Sequence, residues 1–155
     1  MKRIAKIFTM LAAVALTFVS CEKFEDGKPS KGVRDEFDQM YPDAHDVEWD
    51  RELAGWQVSF KTGTPPNVKE CDAWYDVDGN WLRTETDILE SALPQAVKDA
   101  LAASEYASAV LDASDIDYVE TPDGNFYQLE VVLKGLKIKL DVSEDGEISL
   151  SGLDF

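Results

Sequence analysis

The sequence predicts an α+β fold: a tandem repeat of one helix plus four antiparallel strands, the two copies forming a shared antiparallel sheet with the helices on one face. Two stretches and one register argument carry this. Glu70 to Thr86, E-C-D-A-W-Y-D-V-D-G-N-W-L-R-T-E-T, reads as two strands joined at Asp78-Gly79. Asp-Gly between alternating apolar runs is a strong hairpin signal. Lys137 to Leu150, K-I-K-L-D-V-S-E-D-G-E-I-S-L, echoes it. A two-residue turn at Asp145-Gly146 would set Val142 against Ser149. A three-residue loop with Gly146 left-handed instead pairs Val142 with Ile148 and Leu140 with Leu150, keeping one face apolar. Carried to the first hairpin, this register pairs Tyr75 with Trp81 inside. It sets Asp72, Trp74, Asp76 and Leu82 on the other face.

The elements follow in order. Val33, Phe37, Met40 and Tyr41 recur at helical spacing over 32–41, and Pro42 ends that helix. Val47 and Trp49 mark a short strand. Trp56, Val58 and Phe60 alternate with Gln57, Ser59 and Lys61, the pattern of a half-buried strand. Thr62 to Asn67, with Pro65-Pro66, is a loop. In the second copy Pro94 suits a first helical turn with Ser91 as N-cap, and Val97, Ala100 and Leu101 form the apolar face. Ser108 to Ala113 fits either a helical extension or the approach to a strand. Ile116 and Tyr118 mark the next strand, and Thr121-Pro122-Asp123-Gly124 turns the chain. Tyr127, Leu129, Val131 and Leu133 face inward. Lys134-Gly135 turns again, and Ile138, Leu140 and Val142 follow.

The N-terminus reads as an address. Met1 to Lys6 is basic, and Ile7 to Val19 is an apolar run too short for an ordinary span. Phe18-Val19-Ser20-Cys21 resembles the lipobox of bacterial lipoproteins, with Phe18 where Leu is common. The expected organisation is a signal peptide over 1–20, a flexible tether over 21–31, and one domain over 32–155 with copies at about 32–88 and 91–151. Cys21 is the expected lipidation site. Lipid chains contribute roughly 0.8 kcal/mol per buried CH2, so several hold a protein at a membrane. The expected location is the cell envelope, at the outer membrane. Glu22, Glu25 and Asp26 resemble the surface-export signals of Bacteroidota lipoproteins. Lipidation of Cys21 leaves Cys71 alone, so no disulfide is expected.

An apolar content of 45% is enough to build a core, which separates this chain from disordered acidic ones. The formal charge of -16 becomes -19 once Lys2, Arg3 and Lys6 are removed. Such a charge repels nucleic acid. A single His, His45, cannot build a multi-His metal site, and no P-loop, G-x-S-x-G or H-E-x-x-H pattern is present. Asp76-x-Asp78-x-Asn80 resembles the start of a calcium loop. It has Trp81 where Gly is needed and Asp87 where a bidentate Glu is needed, so the hairpin reading is preferred. No enzyme activity, metal or cofactor is expected.

Phe37…Tyr41-Pro42-x-Ala44-x-x-Val47-x-Trp49, then Trp56-x-Val58-x-Phe60, then Tyr75-Asp76-x-Asp78-Gly79-x-Trp81 is a pattern similar to the PepSY-like family of Bacteroidota exported proteins. That family is also described as β-lactamase-inhibitor-like. The resemblance covers roughly Val33 to Leu150. It implies a tandem helix-plus-four-strand fold whose concave open face grips a partner enzyme, with no catalytic residues to carry over. The expected binding face therefore carries Trp74, Leu82, Asp72 and Asp76, with Lys137 and Lys139 from the second copy. Gln128, Glu130, Val132, Asp141 and Ser149 lie nearby. The expected partner is a protein or peptide. A structural envelope-assembly role and a small-ligand or cation carrier are the alternatives.

Overall fold

The computed structural model describes residues 24–25 and 27–152. The signal segment and Cys21 lie outside the described residues. The elements run β1 (Phe24–Glu25), β2 (Lys28–Pro29), α1 (Lys31–Met40), β3 (His45–Glu52), β4 (Gly55–Thr62), β5 (Lys69–Asp76) and β6 (Trp81–Asp87). They continue with α2 (Gln95–Ala103), β7 (Val110–Thr121), β8 (Gly124–Leu133), β9 (Leu136–Ser143) and β10 (Ile148–Leu150). Strands β3 to β10 form one antiparallel sheet in sequence order. The described part of the stretch expected as a tether carries regular structure. β1 pairs with β2, Pro29 is buried, and α1 opens at Lys31.

The hairpins follow the expected register. Val142 pairs with Ile148, Leu140 with Leu150 and Tyr75 with Trp81. Both loops use the same backbone bonds: Gly79 N–H donates to the Asp76 carbonyl, and Gly146 N–H donates to that of Ser143. Gly79 and Gly146 have φ of 95° and 89°, which side chains resist. Each also meets a helix. A Cβ at Gly79 would lie 2.6 Å from Val33 Cγ2 of α1, and one at Gly146 would lie 3.0 Å from Ala100 Cβ of α2.

One side of the sheet is followed by its pairings. Phe60 faces Cys71, Cys71 faces Thr86, Thr86 faces Tyr118, Tyr118 faces Tyr127, and Tyr127 faces Val142. Directly opposed residues share a face. Both helices pack on this side, yet the burial falls into two clusters rather than a shared core. Val33 and Phe37 of α1 pack with Trp56, Val58, Phe60, Ala73 and Tyr75. Phe37 meets Phe60 edge to face at 5.0 Å and Trp49 at 5.4 Å. Val97 of α2 and Leu93 pack with Ile116, Leu129, Val131, Leu140 and Val142. The first cluster is aromatic and the second aliphatic. Between them Thr84, Thr86, Tyr118 and Glu120 are polar, so no apolar layer bridges the helices.

Several local expectations change. Val47 is 39% exposed, because the register shifts between His45 and Glu48 and Asp46 takes φ of 54°. Met40 is also exposed. Ser91 does not cap α2: it sits in a short 3-10 turn, and Pro94 holds the N-cap position. Of the two readings for Ser108 to Ala113, the strand holds from Val110.

Gly79→Ala and Gly146→Ala each combine a left-handed backbone with a helix contact. Each is expected to cost about 1–3 kcal/mol, read as a lower urea midpoint at unchanged m-value. Midpoints equal to wild type would show that the loop-to-helix contacts do not constrain the fold.

Candidate functional site

The opposite side of the sheet carries the residues singled out from the sequence. Asp72, Trp74 and Asp76 alternate with buried Cys71, Ala73 and Tyr75 on β5, so they point away from the helices. Lys137, Lys139 and Asp141 share that face through their pairings with Val132, Glu130 and Gln128. Ser149 joins it opposite Asp141.

Trp74 does not have Leu82 as its cross-strand neighbour. A bulge between Trp74 and Tyr75 leaves Leu82 as the extra residue, and Trp74 faces Arg83. The Arg83 guanidinium lies 4.3 Å from the Trp74 ring centroid, a cation–π contact, and 3.3 Å from Glu85 Oε1. Trp74 is half-buried as a result. Leu82 is 45% exposed and lines a cleft with Arg83, Pro122, Phe126, Gln128 and Asp141.

The remaining named residues are already engaged. Asp76 Oδ1 accepts the backbone N–H groups of Asp78 at 2.8 Å and Asn80 at 2.9 Å, and Asn80 Nδ2 donates to Oδ2. The Asn80 side chain and these amides hold the Asp76 carboxyl below its ordinary value. Asp76 therefore serves the hairpin. Asp72 accepts hydrogen bonds from Gln57 and Ser59. Lys137 pairs with Glu130, and Lys139 lies 3.5 Å from Asp115 and bonds Gln128 Oε1 at 3.3 Å.

Two features of this face were missed. Val119, opposite Glu85 and Phe126, is 1% exposed although both helices lie on the other side. Asp87 stands directly opposite Asp117 at the β6–β7 seam, with Glu85 on the same strand face. Burial, the hydrogen bond to Asp87 and the nearby Glu85 charge push the Asp117 carboxyl up to about 7. Asp117 therefore binds its proton more tightly than an exposed aspartate does. No alternation or motif marks this pair, because it exists only once β6 and β7 are side by side.

On the helix side a cavity of about 420 Å3 separates the two clusters, lined by Tyr41, Cys71, Thr86, Tyr118 and Tyr127 among others. Tyr41 Oη lies 2.5 Å from Thr84 Oγ1, and burial raises the Tyr41 and Tyr118 hydroxyls above their ordinary values. Cys71 is buried as expected and sits 3.6 Å from Thr86 Oγ1. Among the described residues no group of three or more His, Cys, Asp or Glu is placed to hold a metal ion. No helix among them is long and apolar enough to cross a membrane.

The family described as "Putative beta-lactamase-inhibitor-like, PepSY-like" matches residues 54–149. The chain belongs to the PepSY-like family. Solved structures share the PepSY-like fold seen here. A BLIP-like protein from Bacteroides fragilis is 27% identical with a TM-score of 0.69, over 82% of this chain and 91% of its own. A DUF2874 family protein from Bacteroides uniformis is 25% identical with a TM-score of 0.65, over 76% and 84%. One of the "putative periplasmic proteins" of Bacteroides eggerthii, 24% identical with a TM-score of 0.66 over 78% and 85%, shares the fold. No curated protein matches the chain.

Because Asp117 binds its proton more tightly when folded, its contribution to stability is full below about pH 4 and is lost as pH rises towards 7. Asp117→Asn should remove that decline. The variant should therefore melt higher than wild type at pH 8, relative to their difference at pH 4. A difference in melting temperature that stays constant across this range would show that Asp117 titrates normally.

Proposed function

We propose that this PepSY-like chain is an exported, lipid-anchored, non-enzymatic binding module that takes a protein or peptide on its open sheet face. The observation that carries the reading is the side of the eight-stranded sheet opposite both helices, where Trp74, Leu82 and Phe126 lie among charged residues. Antiparallel sheets tolerate one wet face. Aromatic side chains on such a face are the usual anchors of protein interfaces. The family description and the BLIP-like neighbour support an inhibitor-like mode of binding.

The fuller organisation belongs to the same proposal. The order helix, four strands, helix, four strands, with matched glycine loops, supports a tandem repeat within one domain. The lipobox-like Phe18-Val19-Ser20-Cys21 supports anchoring through Cys21 in the cell envelope. The neighbour described as periplasmic is consistent with export. Among the described residues no constellation of catalytic groups emerges on either face, which favours binding over chemistry.

The test is capture from envelope extract by wild type, Trp74→Asp and Leu82→Asp. Both variants should keep the wild-type far-UV spectrum and lose about tenfold or more of the captured partner. Leu82 is exposed, so its variant reads binding even if Trp74→Asp loosens the sheet. Capture unchanged in both folded variants would exclude this face. An inhibitor in the strict sense must also slow a purified β-lactamase or protease, and the same two variants should relieve that inhibition.

A further inference from the structure

A groove of about 590 Å3 crosses β3 to β6 on the open face, lined by five carboxylates (Asp46, Glu48, Glu70, Asp72 and Asp87) against one cation, Lys61. Lys61 is itself divided between Glu70 at 3.5 Å and Asp46 at 3.8 Å. Beyond the groove Asp87 faces Asp117 across the seam. Carboxylates in directly opposed positions on a sheet repel when both are ionised. The face's other cations are committed: Arg83 to Trp74 and Glu85, Lys137 to Glu130, and Lys139 to Asp115. Arg83 also shows what this surface accommodates, since one guanidinium is held between an aromatic ring and a carboxylate.

We propose that the open face docks a cationic protein surface, with the partner's Lys or Arg side chains entering the groove across β3 to β6. The inference rests on the reading of that face as a binding surface and names the chemistry of its partner. Positive side chains would supply the counter-charge that the groove lacks, while Trp74 and Leu82 at the far end of β5 and β6 supply apolar contact. Complementary potential of this kind sets partner choice and association rate more than raw affinity.

The test uses a labelled nona-arginine peptide titrated into the purified protein by fluorescence anisotropy. One variant neutralises the groove with Glu48→Gln, Glu70→Gln and Asp87→Asn, all at exposed positions. A charge-matched variant neutralises exposed α1 residues with Asp35→Asn, Glu36→Gln and Asp38→Asn. The groove variant should bind at least about tenfold more weakly, and the helix variant should stay within about threefold of wild type. Equal weakening in both, or none in the groove variant, overturns the inference, because binding would then follow net charge rather than the face. A partner captured from envelope extract, lost with Trp74→Asp but kept by the groove variant, also overturns it while leaving the binding face in place.

Discussion

The pairing of β6 with β7 is the constraint on which the rest of the structure depends. It joins two helix-and-sheet halves by four residue pairs, Thr84 with Glu120 through Asp87 with Asp117. Strand parity makes this junction decisive. A slip of one residue would turn the second half over and put α2 on the far side from α1. The observed register keeps Thr86 opposite Tyr118, so both helices cover one side and the other is left to solvent and to side chains.

That junction is also where the molecule is least like a hydrophobic core. On the helix side it is floored by threonine and tyrosine, and a cavity stands between the clusters. On the open side it brings two aspartates face to face, and burial together with this neighbour raises the Asp117 carboxyl above its ordinary value. Each half packs its own apolar residues, one around Phe37 and the other around Val97. What unites the halves is the backbone ladder, whose bonds are indifferent to side-chain chemistry. A polar seam is therefore compatible with a continuous sheet.

The open face shows how local and non-local effects combine. Trp74 points outward because it alternates with Ala73 and Tyr75, a property of β5 alone. Its neighbour is decided by the bulge at Leu82, which brings Arg83 over the ring. In W-L-R-T-E-T, Trp81 and Thr84 both face inward although an odd number of steps separates them. Threonine reads as polar, so the pattern does not announce the extra residue. Asp76 misled in the opposite way. Its outward parity is right, but its oxygens are spent on the turn it initiates.

The sequence by itself determined the hairpins, their three-residue loops, the inward stripes of β4, β5, β8 and β9, and the burial of Cys71. All of these follow from periods of two or 3.6 and from glycine's tolerance of positive φ, which are written within a few residues of the chain. Only the tertiary structure decided the strand order, the division into two clusters, the Arg83–Trp74 stack and the meeting of Asp87 with Asp117. Each of those depends on which strands lie side by side and in what register. Periodicity states which way a side chain points, but not what it meets there.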